Sequence, residues 1–238
     1  FLTDKVMAPK GSEHLFSEKL WRFDRYATIW NTCKNNISQI SNLPFLSKGF
    51  VTFGAITKNL RINNGVIFNW STILKNVNKS KLILKSSLNV NKDFILQKFE
   101  NYNVHNSIIF YDKQETEEHI KSYKNIDLAL DTFPYNGGLT TFEALWAGVP
   151  VITMEGFNMM SRCGESILKN ARLDKLISTN KDNYIKLATY YAKNPDKLII
   201  LRSKIYEEIL KTPLFDSKQF SKDFQIKLLK LHAENFYI

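Results

Sequence analysis

Only two cysteines, Cys33 and Cys163, occur in 238 residues. Neither has metal-ligand spacing or a partner motif, which excludes a disulfide framework and a zinc cluster and fits free thiols in a reducing, cytoplasmic compartment. No apolar run approaches the ~20 residues needed to cross a bilayer. The opening Phe-Leu-Thr-Asp-Lys-Val is not a signal peptide and carries no initiating Met, so the chain reads as part of a longer one. Lysine and arginine outnumber acids 33 to 23, for a net charge of +10, but the lysines are scattered along helical stretches. Without an Arg/Lys block or a basic-aromatic repeat, nucleic acid is not expected as a partner. A genome rich in Lys, Asn and Ile codons yields the same composition, and the positive field still assists capture of an anionic ligand. Internal repeats and low-complexity tracts are absent.

Several familiar sites are missing as well. No G-x-G-x-x-G follows the first expected strand, only Gly54, which disfavours a plain NAD-binding domain. There is no G-x-x-x-x-G-K-[ST], no Asp-x-Asp after a strand, no serine nucleophile elbow and no H-E-x-x-H. A metal-held diphosphate therefore has no carboxylate platform in this sequence.

What is present is a sizeable apolar content, 44% hydrophobic and 13% aromatic, arranged as short apolar runs separated by helical stretches. Strands are expected at 50–54, 81–84, 107–110, 126–130 and 150–154. Helices are expected at 63–76, 91–102, from Thr116 (whose hydroxyl can cap it), and from near Thr140. This alternation predicts an α/β fold, a Rossmann-like doubly wound parallel sheet, which takes ligands at the carboxyl ends of its strands. Beyond 161 the chain reads as a helical extension at 161–170, 182–193, 195–211 and 217–235. Residues 1–30, with a candidate strand at 26–30, look like the end of a preceding domain, and 31–48 like a linker. Residues 49–212 form the Rossmann-like domain and 213–238 a C-terminal helix. Trp70 and Trp146 are read as core residues facing the sheet.

The most informative stretch is Asp131-Thr-Phe-Pro-Tyr-Asn-Gly-Gly-Leu-Thr-Thr-Phe-Glu143, which continues through Gly148 to Met154. A buried strand end runs through paired glycines into a helix start, where unpaired amides and the helix dipole attract an anion. Asn136, Gly137, Gly138, Thr140 and Thr141 supply the turn, and the Glu143 carboxylate, one turn inside, can accept from ribose hydroxyls. Phosphate with ribose indicates a nucleotide. Arg61, in the loop leaving the first of these strands, lies on the same rim and offers the cation that a site without a metal needs. An ordinary strand-to-helix turn and a surface arginine are the plain alternatives.

Over these residues the chain resembles the C-terminal half of the catalytic region of the O-GlcNAc transferase/SPINDLY-like family of glycosyltransferases, bacterial branch. The 131–153 stretch is the most specific part. Phe53-Gly-Ala, Leu60-Arg-Ile-Asn63, Leu82-Ile-Leu-Lys-Ser86, Glu117-Glu-His119, Ser161-Arg162 and Pro213-Leu-Phe215 also fit. The resemblance implies a GT-B architecture of two facing Rossmann-like domains, of which this is the C-terminal half. Its final helix then packs back on the N-terminal domain.

It further implies that Arg61 stands where a lysine meets the diphosphate and stabilises the leaving group. By the same carry-over, Gly137, Gly138, Thr140 and Thr141 hold the diphosphate, Glu143 the ribose, and Gln114 and His119 stand near the uracil. Lys58 occupies a loop position able to reach a phosphate. Arg61 for Lys, Leu139 for Thr and Thr116 for Lys depart from the family pattern, the first changing a point charge into a fork. The implied reaction is metal-independent, inverting transfer of a sugar, N-acetylglucosamine first among candidates, from a UDP donor to a protein Ser or Thr hydroxyl. No cofactor is required. The implied partners are the UDP-sugar, a protein acceptor, the N-terminal catalytic domain and, in repeat-bearing members, tetratricopeptide repeats. The general base lies outside this chain, so residues 1–238 alone are expected to bind UDP with little turnover. A glycan, flagellin or lipid-linked acceptor, or a non-catalytic nucleotide-binding module, are the alternatives.

Overall fold

The computed structural model describes residues 1–30, 42–85, 92–112 and 116–236, without the side chains of 116, 117, 235 and 236. Two short parallel strands, β1 (Leu2–Asp4) and β2 (Trp21–Phe23), pair near the N-terminus. Helix α1 (Pro44–Lys48) precedes β3 (Thr52–Ala55), α2 (Asn64–Asn76), β4 (Lys81–Lys85), α3 (Lys92–Glu100), β5 (Ile108–Tyr111) and α4 (Thr116–Ser122). The second half runs β6 (Leu128–Leu130), α5 (Leu139–Trp146), β7 (Val151–Met154), α6 (Cys163–Asn170) and β8 (Ile177–Ser178). Helices α7 (Lys181–Lys193), α8 (Pro195–Glu208) and α9 (Ser217–Phe236) follow.

Strands β3 to β8 form one parallel sheet in the order β5-β4-β3-β6-β7-β8, flanked by helices. The expected doubly wound, Rossmann-like architecture is therefore present, with a helical C-terminal extension. The chain moves outward from β3 to β5, then returns to the opposite side of β3 with β6. That reversal opens a crevice beyond the carboxyl ends of β3 and β6, where open α/β sheets take their ligands.

The central strands are largely apolar because neighbouring elements cover both their faces: Leu82, Ile83 and Leu84 of β4 are all buried, as are Leu128, Ala129 and Leu130 of β6. Helix α2 starts where Asn63 accepts the Val66 amide at its side-chain oxygen, an N-cap. Its Val66, Ile67, Trp70, Ile73 and Leu74 are buried, each such large apolar side chain contributing ~1.5–3 kcal/mol relative to exposure. Trp70 lies in the core as expected, its Nε1 donating to the Tyr184 hydroxyl of α7 at 3.2 Å.

Some expectations are corrected. No strand forms at 26–30. The Tyr26 amide bonds the Asn170 side chain at 3.1 Å and its ring meets Phe142 edge-on, so the apolar content of this segment reflects docking, not strand pairing. Strands occur instead at β1 and β2, and β8 adds a sixth strand to the main sheet, two residues long and too short to leave a pattern. Trp146 is not a fully buried core residue. It is half-buried against Trp30 and Phe215 at 5.8 Å from each ring.

Of the expected linker, 31–41 lies outside the described residues, as does Cys33. The remainder carries α1, whose Phe45 amide and the Thr52 amide of β3 are both accepted by the Asp127 carboxylate, at 2.9 and 2.7 Å. Helix α9 lies on the N-terminal segment. Phe220 and Phe224 stack on Phe23, at 5.8 and 6.4 Å, and Arg25 pairs with Asp223 at 3.0 Å. That segment in turn joins the main body through Ser166, whose hydroxyl donates to Asp4 at 2.9 Å. Among the described residues, no helix is long and apolar enough to cross a membrane.

Candidate functional site

A cavity of about 610 Å³ opens at the crevice between β3 and β6. The loop after β3 contributes Ile56, Thr57, Lys58 and Arg61, and the end of β4 contributes Lys85. His119 comes from α4, while Asn136, Gly138, Leu139, Thr140 and Glu143 come from the loop after β6 and from α5. Met160 and Cys163 close one side, and Met7 and Tyr26 of the N-terminal segment another.

The turn into α5 is held from beneath by Asp131. Its Oδ1 accepts the amides of Thr132 and Gly137 at 2.8 and 2.7 Å, and its Oδ2 accepts the Thr153 hydroxyl at 2.7 Å. Burial pushes this carboxyl up to about 6, against the lowering effect of those donors. Gly137 is required by close approach, because a Cβ there would lie 2.8 Å from Thr141 Oγ1 and 2.9 Å from Thr140 Oγ1. Above the turn, the amides of Gly138, Leu139 and Thr140 make none of the hydrogen bonds among the described residues. They are the orphan donors of a helix start, and they border the cavity.

Two side chains tie the loop after β3 to the loop after β6. Arg61 Nη1 donates to the Asn136 carbonyl at 2.9 Å, with its guanidinium carbon 4.2 Å from the centre of the Tyr135 ring. Asn63, while capping α2, donates through Nδ2 to the Phe133 carbonyl at 2.6 Å. The Asn136 side chain turns inward, donating to the Thr132 carbonyl at 2.9 Å. Asn136 thus shapes the loop from within.

At the far end of the cavity, His119 and Glu143 are both buried and joined, His119 Nε2 to Glu143 Oε2 at 2.8 Å. The other ring nitrogen, Nδ1, faces the Lys85 ammonium at 2.6 Å. The Tyr123 hydroxyl lies 3.2 Å from the same Glu143 oxygen and 3.1 Å from the Thr140 carbonyl. Burial, and then the Glu143 charge, raise Tyr123 well above its ordinary value, so it stays a neutral donor.

Of the residues expected from sequence, the fold gathers Lys58, Arg61, His119, Asn136, Gly138, Thr140 and Glu143 around one cavity. Gly137 and Thr141 lie behind its wall. The Gly137 amide, expected to face an anion, is occupied by Asp131, and Thr141 is buried beneath the turn. Gln114 lies outside the described residues. Sequence reasoning missed Lys85, Tyr123 and Asp131 as members of this constellation. Asp131 carried a usable signal, since it closes an apolar strand run at its carboxyl end. Arg162 is accounted for locally, its Nε donating to the Gly156 carbonyl at 2.8 Å. Among the described residues, no three His, Cys, Asp or Glu side chains gather as a metal site.

Residues 36–224 match glycosyl transferase family 41. The SPINDLY proteins of Petunia hybrida and Eustoma exaltatum subsp. russellianum bear the description "probable UDP-N-acetylglucosamine–peptide N-acetylglucosaminyltransferase" and are 31% and 34% identical. Each alignment covers 94% of this chain but only 24% and 25% of the relative, so the chain spans about a quarter of their length. A solved O-GlcNAc transferase of Thermobaculum terrenum superposes with a TM-score of 0.89 at 26% identity, over 98% of this chain and 44% of that one. The glycosyltransferase WaaG, at 12% identity and a TM-score of 0.63, shares the fold alone. A match over most of the chain, with relatives above 30% identity, places this chain in glycosyl transferase family 41.

Proposed function

We propose that this chain is the donor-binding half of an inverting glycosyltransferase that takes a UDP-sugar, UDP-N-acetylglucosamine by analogy with its relatives, and delivers the sugar to a Ser or Thr hydroxyl on a protein. The observation that carries the reading is the apposition of the Arg61 guanidinium to the Asn136 carbonyl at 2.9 Å, beside the orphan amides of Gly138, Leu139 and Thr140. A diphosphate set on that helix start meets three aimed N–H donors, the positive end of the α5 dipole and a forked cation. Lys58, exposed on the rim, adds a second positive charge.

Glu143, one turn inside α5, offers a carboxylate to the ribose diol, and His119 sits beside it where the base is placed. As the glycosidic bond breaks, negative charge grows on the β-phosphate. Fixed donors aimed at that oxygen stabilise the transition state more than the ground state, individual donors of this kind being worth ~2.7–4 kcal/mol. The sequence has no Asp-x-Asp platform, so in this reading the leaving charge falls on Arg61, Lys58 and the amides without a metal. The acceptor hydroxyl attacks from the opposite face of the sugar, which inverts the anomeric centre. The general base that takes its proton belongs to the facing N-terminal domain.

Calorimetry of this chain with UDP, and a mass-spectrometric transfer assay of the full-length protein with a panel of UDP-sugars, test the reading. Binding of UDP that weakens in Arg61→Ala, together with sugar transfer to a peptide, is expected. UDP binding untouched by that substitution would remove the diphosphate from this helix start and overturn the proposal.

A further inference from the structure

We propose that Lys85 is a positioning residue that controls the grip on the ribose through His119 and Glu143, without itself contacting the diphosphate cradle. The inference rests on the nucleotide reading above and deepens it. An ammonium has three donors and no lone pair. Facing Lys85 at 2.6 Å, Nδ1 of His119 must therefore present its lone pair, so the ring proton sits on Nε2. That proton is donated to Glu143 Oε2 at 2.8 Å. His119 Nε2 is thereby fixed as the donor of this hydrogen bond and Glu143 Oε2 as its acceptor.

The consequence is geometric. Oε2 of Glu143 is engaged by His119 and lies within reach of the Tyr123 hydroxyl, while Oε1 makes none of the hydrogen bonds among the described residues. The carboxylate is pinned through one oxygen and presents the other to a cavity it helps to line. Removing the Lys85 ammonium frees the ring to flip its tautomer, setting a lone pair against the carboxylate in place of the Nε2–H donor. That flip unpins the carboxylate and degrades the acceptor for a diol.

The test compares UDP, its 2′,3′-dideoxy analogue and inorganic pyrophosphate by calorimetry, and reads the His119 tautomer by ¹⁵N NMR, in the parent protein and in Lys85→Met and Lys85→Arg. We expect Lys85→Met to weaken UDP roughly tenfold, the scale of one hydrogen bond to a charged group. The dideoxy analogue and pyrophosphate should be unchanged, and Lys85→Arg should restore most of the UDP affinity. The His119 signal should move from the Nε2–H to the Nδ1–H tautomer in Lys85→Met alone. Equal loss for UDP and pyrophosphate would indicate general damage to the fold and overturn the inference, as would a Lys85→Met protein that binds UDP normally. A parent protein that binds no UDP would overturn the nucleotide reading and this one together, whereas parent binding with an indifferent Lys85→Met overturns this one alone.

Discussion

Arg61 and Asn136, 75 positions apart in sequence, are joined by a 2.9 Å hydrogen bond from the guanidinium to the main-chain carbonyl, across the crevice where the strand order reverses. One of the arginine's two arms is thereby fixed to the protein. The rest of the fork faces a cavity bordered by orphan amides.

Arg61→Ala should weaken UDP binding tenfold or more, about the effect of losing a hydrogen bond between charged groups. Arg61→Lys keeps the charge but cannot hold the Asn136 carbonyl and an anion in the same fork, so its affinity should fall between the two. Calorimetric titration of the three proteins with UDP settles the order.

Gly137→Ala and Gly138→Ala should behave differently, although the glycines are neighbours. A Cβ at 137 meets three oxygens within about 3.1 Å, two of them hydroxyls of the helix start, while one at 138 meets only Cys163 Sγ at 3.8 Å. Overpacking of this kind costs ~1–3 kcal/mol, so denaturant unfolding should show a loss for Gly137→Ala alone. UDP affinity should fall with it, because the displaced threonines belong to the turn proposed to hold the diphosphate.

Asp131 makes the stability depend on pH. Its carboxyl is raised from 3.8 to about 6 in the fold, with burial the largest cause. A group raised in this way contributes its full stabilisation below its unfolded value, and that contribution is lost as pH rises through the folded value. The window therefore runs from about pH 4 to about pH 6, and the loss is on the order of 3 kcal/mol at ~1.4 kcal/mol per pH unit. Asp131→Asn, whose amide can bond Thr153 while its oxygen keeps both backbone donors, should flatten the unfolding free energy across that window. An unchanged pH profile in the variant would assign the dependence to other carboxyls.

Tyr184→Phe should destabilise the protein while leaving the cavity lining intact. The hydroxyl donates to the Asp131 carbonyl at 2.7 Å and accepts Trp70 Nε1 at 3.2 Å, so its removal leaves one buried acceptor and one buried donor unpaired. At ~1–3 kcal/mol for each unsatisfied group, and ~2–4 °C per kcal/mol for a domain of this size, Tm should fall by several degrees in calorimetric scans.

Much of this arrangement was legible in the sequence, and the reason is periodicity. Runs such as Leu82-Ile-Leu84 and the apolar face of α2 report burial directly, so the sheet, its parallel character and the site rim followed from pattern alone. The glycines and Glu143 were legible as a turn and helix start at the mouth of the crevice, because a strand that runs through paired glycines into a helix constrains residue type at fixed offsets. Lys85 was harder, because a lysine ending a strand looks like any solvated charge until topology sets His119 beside it. The inward turn of the Asn136 side chain and the use of the Gly137 amide by Asp131 were not legible. Both depend on contacts between loops far apart in sequence. Tyr26 misled for the opposite reason: its segment is apolar because it docks on α5 and α6, and docking leaves the same local signature as a strand.

The order β5-β4-β3-β6-β7-β8 also has a consequence for how the protein assembles. A chain that has formed only β3, β4 and β5 owns a sheet and a partial core but lacks half of the cavity, whose other wall arrives with β6, α5 and β7. Joining the walls closes a loop of some seventy residues, a separation of the kind that slows folding. On the proposed reading, a nucleotide therefore has nothing to hold in the early half-sheet, and in refolding experiments its stabilising effect should emerge only with the last, slow phase.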